Sequence, residues 1–146
     1  MERAQRIARL LDRDPYAAYL GIGLVAVDDD SVTVSMPVTE NHQNFHSGTH
    51  GGALFSVADC AFSLASNAYE QPAVAVDTHL AITAPTTTGD LLTATAVEVH
   101  RSKRLATYRV EVTRSDGCVC GHFTGTVFIK SPMTQDARRK TDLPET

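Results

Sequence analysis

The residues best able to do chemistry lie in one stretch, Asn44-Phe45-His46-Ser47-Gly48-Thr49-His50-Gly51-Gly52, and at Asp59 shortly after it. Gly51 and Gly52 stand where a helical pattern begins. The first backbone N–H groups of a helix have no internal acceptor. With the positive end of the helix dipole, they suit a carbonyl oxygen that becomes anionic. Glycine there lets a ligand approach the backbone closely. Asp59 falls inside the helical pattern, among Leu54, Phe55, Val57, Ala58 and Phe62. An unpaired carboxylate in such company is costly. Each feature has an ordinary explanation. Gly-Gly can be a flexible helix entry, a buried Asp can be paired with a structural partner, and His50 can be a loop or capping histidine. Donors and an acid on one buried helix together point to a functional site, with Asn44 and His50 on its approach.

Other constellations point elsewhere. His42, His46 and His50 have a spacing that on a helix could bind zinc. The Asn, Ser, Gly and Thr around them read as a loop, so no metal is expected. Cys118 and Cys120 share one strand face and pack, and Cys60 reads as a small core residue. Three cysteines, an odd number, argue against a disulfide framework and favour reduced thiols and a cytoplasmic location. There is no Gly-x-Ser-x-Gly, phosphate loop or dinucleotide fingerprint, and no cofactor is expected. His100, Arg101, Lys103 and Arg104 form a basic cluster, either a solvated turn or a cradle for phosphate groups. The net charge of −4 and the lack of interleaved aromatics argue against nucleic acid. No apolar run is long enough to span a bilayer. The first fourteen residues carry charges throughout and do not read as a secretory signal.

These residues need elements to hold them. A length of 146 residues, 42% apolar and 21% charged, suits one globular domain. Ala4, Ile7, Ala8 and Leu11 have helical spacing. Asp14-Pro15 reads as an N-cap with proline at the first helical position, opening a short turn through Tyr19. Residues 20–27 and 31–37 form a hairpin about Asp28-Asp29-Asp30, and 38–49 is a loop. A helix apolar nearly all round, hence buried, runs from about Gly52 to Asn67. Strands follow over 73–84, 91–100, 105–114 and 118–130, with turns at Gly89-Asp90 and Asp116-Gly117. Residues 1–19 are then a helical segment, 20–130 the main domain, and 131–146 a flexible tail. Runs of strands beside one helix predict an antiparallel sheet in the α+β class. With few helices to cover the sheet, a second copy of the chain should bury part of its apolar surface.

His50-Gly51-Gly52, followed by Asp59 and Asn67, then a strand ending at Pro85, then Gly89-Asp90 and the run from Arg104 to Tyr108, resembles the phenylacetic-acid-degradation (PaaI) type of hotdog thioesterase. The likeness covers roughly residues 20–130. It implies an antiparallel sheet wrapped around one long central helix, and hydrolysis of an aryl-acetyl or short acyl-CoA to acid and CoA. It also implies Asp59 as general base or nucleophile, Asn44 positioning substrate or water, and Gly51 N–H as oxyanion donor. His50 would support the glycine turn or the thioester, and Gly52 would belong to the binding site. Arg101, Lys103 and Arg104 would hold CoA phosphates. Two positions depart from the family. The loop reads Ser47-Gly48-Thr49, where many members place the glycine one residue earlier. Ala75 stands where some carry a strand hydroxyl, with Thr78 a nearby substitute. A hotdog hydratase or dehydratase, and a non-catalytic acyl-CoA binder, are the rival readings.

The spacing adds a constraint of its own. Gly51 and Asp59 are eight residues apart on one helix, roughly 12 Å along its axis. One substrate carbonyl cannot easily touch both. If both act on one carbon, the aspartate comes from another copy. The expected unit is therefore an oligomer with sites at the interface, which the hotdog resemblance also implies: a homodimer at least, or a homotetramer of paired dimers.

Overall fold

A computed structural model describes residues 1–131; of the expected tail, 131–146, all but Ser131 lies outside them. Helices α1 (Arg3–Asp12) and α2 (Pro15–Leu20) precede the hairpin β1 (Gly23–Val27) and β2 (Ser31–Pro37). Helix α3 (Gly51–Ser66) follows, then β3 (Ala73–Ile82), β4 (Leu91–Arg101), β5 (Leu105–Thr113) and β6 (Val119–Ile129). The six strands form one antiparallel sheet in the order β1-β2-β4-β5-β6-β3.

Local chemistry accounts for the borders. Asp14 Oδ1 accepts the Ala17 N–H at 3.0 Å, and Pro15 opens α2 as expected. Gly21 closes α2 in the left-handed region, with φ 80°. Leu20 thereby belongs to the helix, and the first strand starts at Gly23 rather than at residue 20. The expected loop over 38–49 holds one 3-10 turn, Glu40–His42. It is pinned by the Thr39 N–H donating to His42 Nδ1 at 3.0 Å.

Strands β2, β4, β5 and β6 alternate in burial over most of their length, and their inward side chains face α3. Val32, Val34, Met36, Leu92, Ala94, Ala96, Ala106, Val110 and Phe123 are buried there. Several inward positions are small, which lets the helix sit close. At Gly125 a Cβ would stand 2.7 Å from Phe62 Cζ. Phe62 itself packs edge-on against Tyr108 (5.7 Å between centroids) and tilted against Phe123 (5.4 Å). At the far end of α3, Asn67 ties the helix to β3. Its Oδ1 accepts the Ala73 N–H at 2.9 Å, and its Nδ2 donates to the Ser63 carbonyl at 3.0 Å.

The outer face of the sheet is polar rather than apolar. Thr33 meets Thr95 at 3.1 Å and Thr107 meets Thr126 at 3.0 Å across it. Exposed apolar side chains remain on several strands, with Val25 of β1 and Val99 of β4 exposed like Val76 (59%) and Ile82 (57%) of the edge strand β3. No helix among the described residues is long and apolar enough to cross a membrane.

Candidate active site

Helix α3 begins in a tightly specified turn. His50 is its N-cap, and His50 Nδ1 accepts the Gly52 N–H at 2.9 Å. An imidazole nitrogen that accepts carries no proton, so the hydrogen of neutral His50 is on Nε2. The Gly52 N–H is thus already engaged, and His50 supports the glycine turn. The carbonyl of His50 accepts from Ala53 and Leu54. Among the described residues, no acceptor meets the Gly51 N–H. Gly51 borders a cleft of about 170 Å³ walled by Asn44, Gly48, Thr49, Leu54, Ile82, Ala84, Pro85 and Thr86. Ile82 packs so closely that a Cβ at Gly51 would stand 3.2 Å from its Cδ1.

Asn44 closes the approach loop on itself. Its Oδ1 accepts the N–H of His46 at 2.9 Å and of Gly48 at 3.2 Å. Two donors on one atom identify it as the oxygen, so the Asn44 amide NH₂ remains for a ligand. Ser47 adopts a left-handed conformation, φ 66°, within this loop. Thr49 is a cleft residue that sequence reasoning passed over. Its Oγ1 is buried without a hydrogen-bond partner among the described residues. Its position directly before His50 was the available signal.

Asp59 lies elsewhere in the same chain. Its helix is continuous from Gly51, so the two remain roughly 12 Å apart along the axis. Asp59 was expected to be buried and is half-buried. Gly52, Ser56, Asp59 and Ser63 fall on one side of α3, a polar stripe on which Gly52 and Ser63 are exposed, Asp59 is half-buried and Ser56 is buried. No hydrogen bond or ion pair to Asp59 occurs among the described residues. Burial, and then the charge of Asp14, hold its carboxyl above the usual carboxylate range. The same two influences, with Asp59 adding to them, push the neighbouring Cys60 thiol up to about 12. Cys60 is an inert core residue, as expected.

The remaining expected site residues are scattered within one chain. Thr78 lies on β3 opposite Gly125, four residues from Ile82 and so about 13 Å from the cleft along the strand. Ala75, the position lacking a hydroxyl, is exposed on the same strand. The basic cluster occupies the β4–β5 turn. Leu91 pairs with Pro37 near the cleft end, and ten residues of strand, about 33 Å, separate it from Arg101. Arg101 is committed locally. Its guanidinium lies 3.7 Å over the Tyr69 ring and 3.5 Å from Glu98 Oε1. Arg104 donates to Ser131 Oγ at 3.0 Å, and Lys103 is exposed. His42 is buried, His46 lies tilted against Phe45 with ring centroids 4.4 Å apart, and His50 caps α3. No group of three His, Cys, Asp or Glu among the described residues is placed to hold a metal ion.

The chain matches the family described as Thioesterase superfamily over residues 46–120. The acyl-coenzyme A thioesterase PaaI of Escherichia coli K12 is 35% identical over 121 residues, 83% of this chain and 86% of that one. The solved structure of the E. coli PaaI protein from the phenylacetic acid degradation operon superposes with a TM-score of 0.86 at 32% identity. That match spans 90% of this chain and 95% of that one. A variant of the phenylacetic acid degradation protein PaaI of Thermus thermophilus is 41% identical, with a TM-score of 0.75, covering 79% and 98%.

Proposed function

This chain belongs to the thioesterase superfamily, has the hotdog fold and is a thioester hydrolase, and from that premise we propose that it cleaves an aryl-acetyl or short acyl-CoA into the acid and CoA. The observation that carries the reading is a pair of unpartnered groups on one helix: the Gly51 N–H at its open end and the half-buried Asp59 carboxylate on its polar stripe. A thioester releases a thiolate whose conjugate acid has a pKa of about 8.5 if it resembles cysteine, so strong acid assistance is not required. The site needs an activated oxygen and a donor for the oxyanion. Asp59 activates water, or attacks directly. Gly51 N–H stabilises the oxyanion, a type of contact worth about 3–4 kcal/mol in other enzymes. The Asn44 amide holds the thioester oxygen or the water, and the Nε2–H of His50 serves the same approach.

If Gly51 and Asp59 act on one carbon, they come from two copies, since one helix holds them roughly 12 Å apart along its axis. Strand β3 supplies the natural seam, because a long strand with a free edge and exposed valines pairs readily with another chain. A homodimer is the minimal active unit in this reading, and pairing of dimers gives a homotetramer. Thr78 lies on that seam. Lys103 and Arg104 are the exposed cations available for CoA phosphates, reaching a site built by another copy.

The test is thiol release. Purified protein incubated with a panel of acyl-CoA esters and a thiol reagent should liberate one thiol per ester, fastest with short or aryl-acetyl groups. Asp59→Asn, which keeps size and loses charge, should lower kcat by about 10²-fold or more with KM little changed. A folded Asp59→Asn protein working at the wild-type rate would overturn the mechanism. Ester binding without thiol release would mark a binder.

A further inference from the structure

The polar stripe of α3 carries a second reactive arrangement beside Asp59. Helix α2 lies against α3 and brings Tyr16 to the stripe, where Tyr16 Oη is 2.9 Å from Ser56 Oγ. Ser56 Oγ is also 2.8 Å from the carbonyl oxygen of Gly52. A serine hydroxyl has one proton, and a carbonyl can only accept. Ser56 therefore donates to Gly52, and the bond between the hydroxyls is donated by Tyr16. Both protons are committed, which leaves Tyr16 Oη with lone pairs alone for anything that approaches. The residue is 60% exposed, so a small molecule has access to it. Its position is nonetheless set, because the capping bond of Asp14 and the ring of Pro15 fix the start of α2 immediately before it.

Ser56 and Asp59 are three residues apart on α3. Such residues are neighbours, with Cβ atoms about 5–6 Å apart. Tyr16, bonded to Ser56, thus stands at the position next to Asp59 on the stripe. A water that gives one hydrogen to a general base still carries a second, and in a half-buried site that hydrogen needs an acceptor of its own. Two fixed acceptors leave an oxygen lone pair free in a defined direction, and such orientation is a large part of what a catalytic site supplies.

We propose that Tyr16 is a further catalytic residue, whose oxygen accepts the second hydrogen of the hydrolytic water while Asp59 accepts the first. This rests on the reading of Asp59 as the base. The water oxygen bonds to the thioester carbon as one proton passes to Asp59 and the carbonyl electrons move onto oxygen. The carbonyl then re-forms, the C–S bond breaks and the thiolate leaves. It takes the proton from Asp59, and the water's second hydrogen stays on the acid product. The elevated carboxyl of Asp59 suits this role, since a more basic carboxylate accepts a proton more readily.

The experiment replaces one oxygen. Tyr16→Phe in the whole chain keeps the ring and removes the acceptor. With the best acyl-CoA found by thiol release, kcat should fall about tenfold or more while KM stays within about twofold. Rates are read well below each variant's melting midpoint, so unfolding does not enter them. Ser56→Ala frees the Tyr16 proton to point at the water in place of a lone pair, and should also lower kcat. A wild-type kcat in Tyr16→Phe overturns the proposal, and so does a loss confined to KM. A single turnover in ¹⁸O-water decides the rest: label in the first acid formed supports water attack, and unlabelled first product overturns it. If Asp59→Asn is fully active, the underlying reading of the site is wrong. If Asp59→Asn is inactive and Tyr16→Phe is unimpaired, only the role of Tyr16 is lost.

Discussion

An ionised Asp59 on the stripe of α3 works against folding. Its carboxyl is held above the usual range by burial first and Asp14 second, so the folded chain binds this proton more tightly than the unfolded chain does. The group therefore costs nothing below its unfolded pKa of about 3.9, and its cost grows as pH rises towards the folded value and levels off above it. Asp59→Asn should consequently raise the melting midpoint at pH 7 while abolishing turnover. The gain should narrow as pH falls through the carboxylate range, which thermal unfolding at several pH values would reveal. A midpoint that is lower at neutral pH would show that Asp59 has a stabilising partner instead. At this scale the sequence was informative where chemistry is local. An acid inside an apolar helix and glycines at its start can be read from neighbouring letters. The Tyr16–Ser56 bond cannot, because its partners are 40 residues apart and α2 is too short to show a periodic face. The half-burial of Asp59 was missed for a related reason. Gly52, Ser56 and Ser63 are small, and an apolar count does not show them joining Asp59 into one polar stripe.

Helix and sheet meet most closely at Gly125. Its missing Cβ is what allows the Phe62 ring to lie against β6, since an added carbon would come within 2.7–2.9 Å of three ring atoms. The ring is held by Tyr108 and Phe123 and cannot swing aside cheaply. Gly125→Ala should therefore destabilise the fold by about 1–3 kcal/mol, the usual cost of overpacking a tight core. Urea unfolding measures it, and a neutral result would mean that Phe62 has room to move. Elements were legible to within a residue or a few. The Asp14-Pro15 pair announced α2, and the all-round apolar run announced α3 with an error of one residue at each end. Hairpins at Asp28-Asp30 and Asp116-Gly117 were equally readable, because a turn names both its strands. The place of β3 was not. It leaves its chain neighbours and pairs with β6, a choice set by the whole sheet rather than by any local signal.

The whole molecule, in the proposed reading, is a site divided between copies, and mixed assemblies test this directly. Asn44→Ala and Asp59→Ala should each be inactive. In a mixed dimer one site receives both defects and the other receives neither. Random mixing of equal amounts makes about half of the dimers mixed, so roughly a quarter of all sites would be intact under two-fold symmetry. Co-expression, or refolding together, should lift thiol release well above either parent, once mass measurement shows that the variants assemble and exchange. If mixed dimers form and activity stays at parental levels, Asn44 and Asp59 serve one site within a chain. The strand order also bears on how the chain comes into being. Strand β3 is made early, yet its partner β6 is the last of the six strands to leave the ribosome. At about 5–20 residues per second, β3 waits on the order of seconds for its partner. During that interval Val74, Val76, Leu80 and Ile82 lie in a nascent segment with neither edge paired. Synthesis speed and chaperone supply should therefore govern the yield of this protein more than its final stability does, and a rare-codon pause between β3 and β6 should be costlier than one placed before α3.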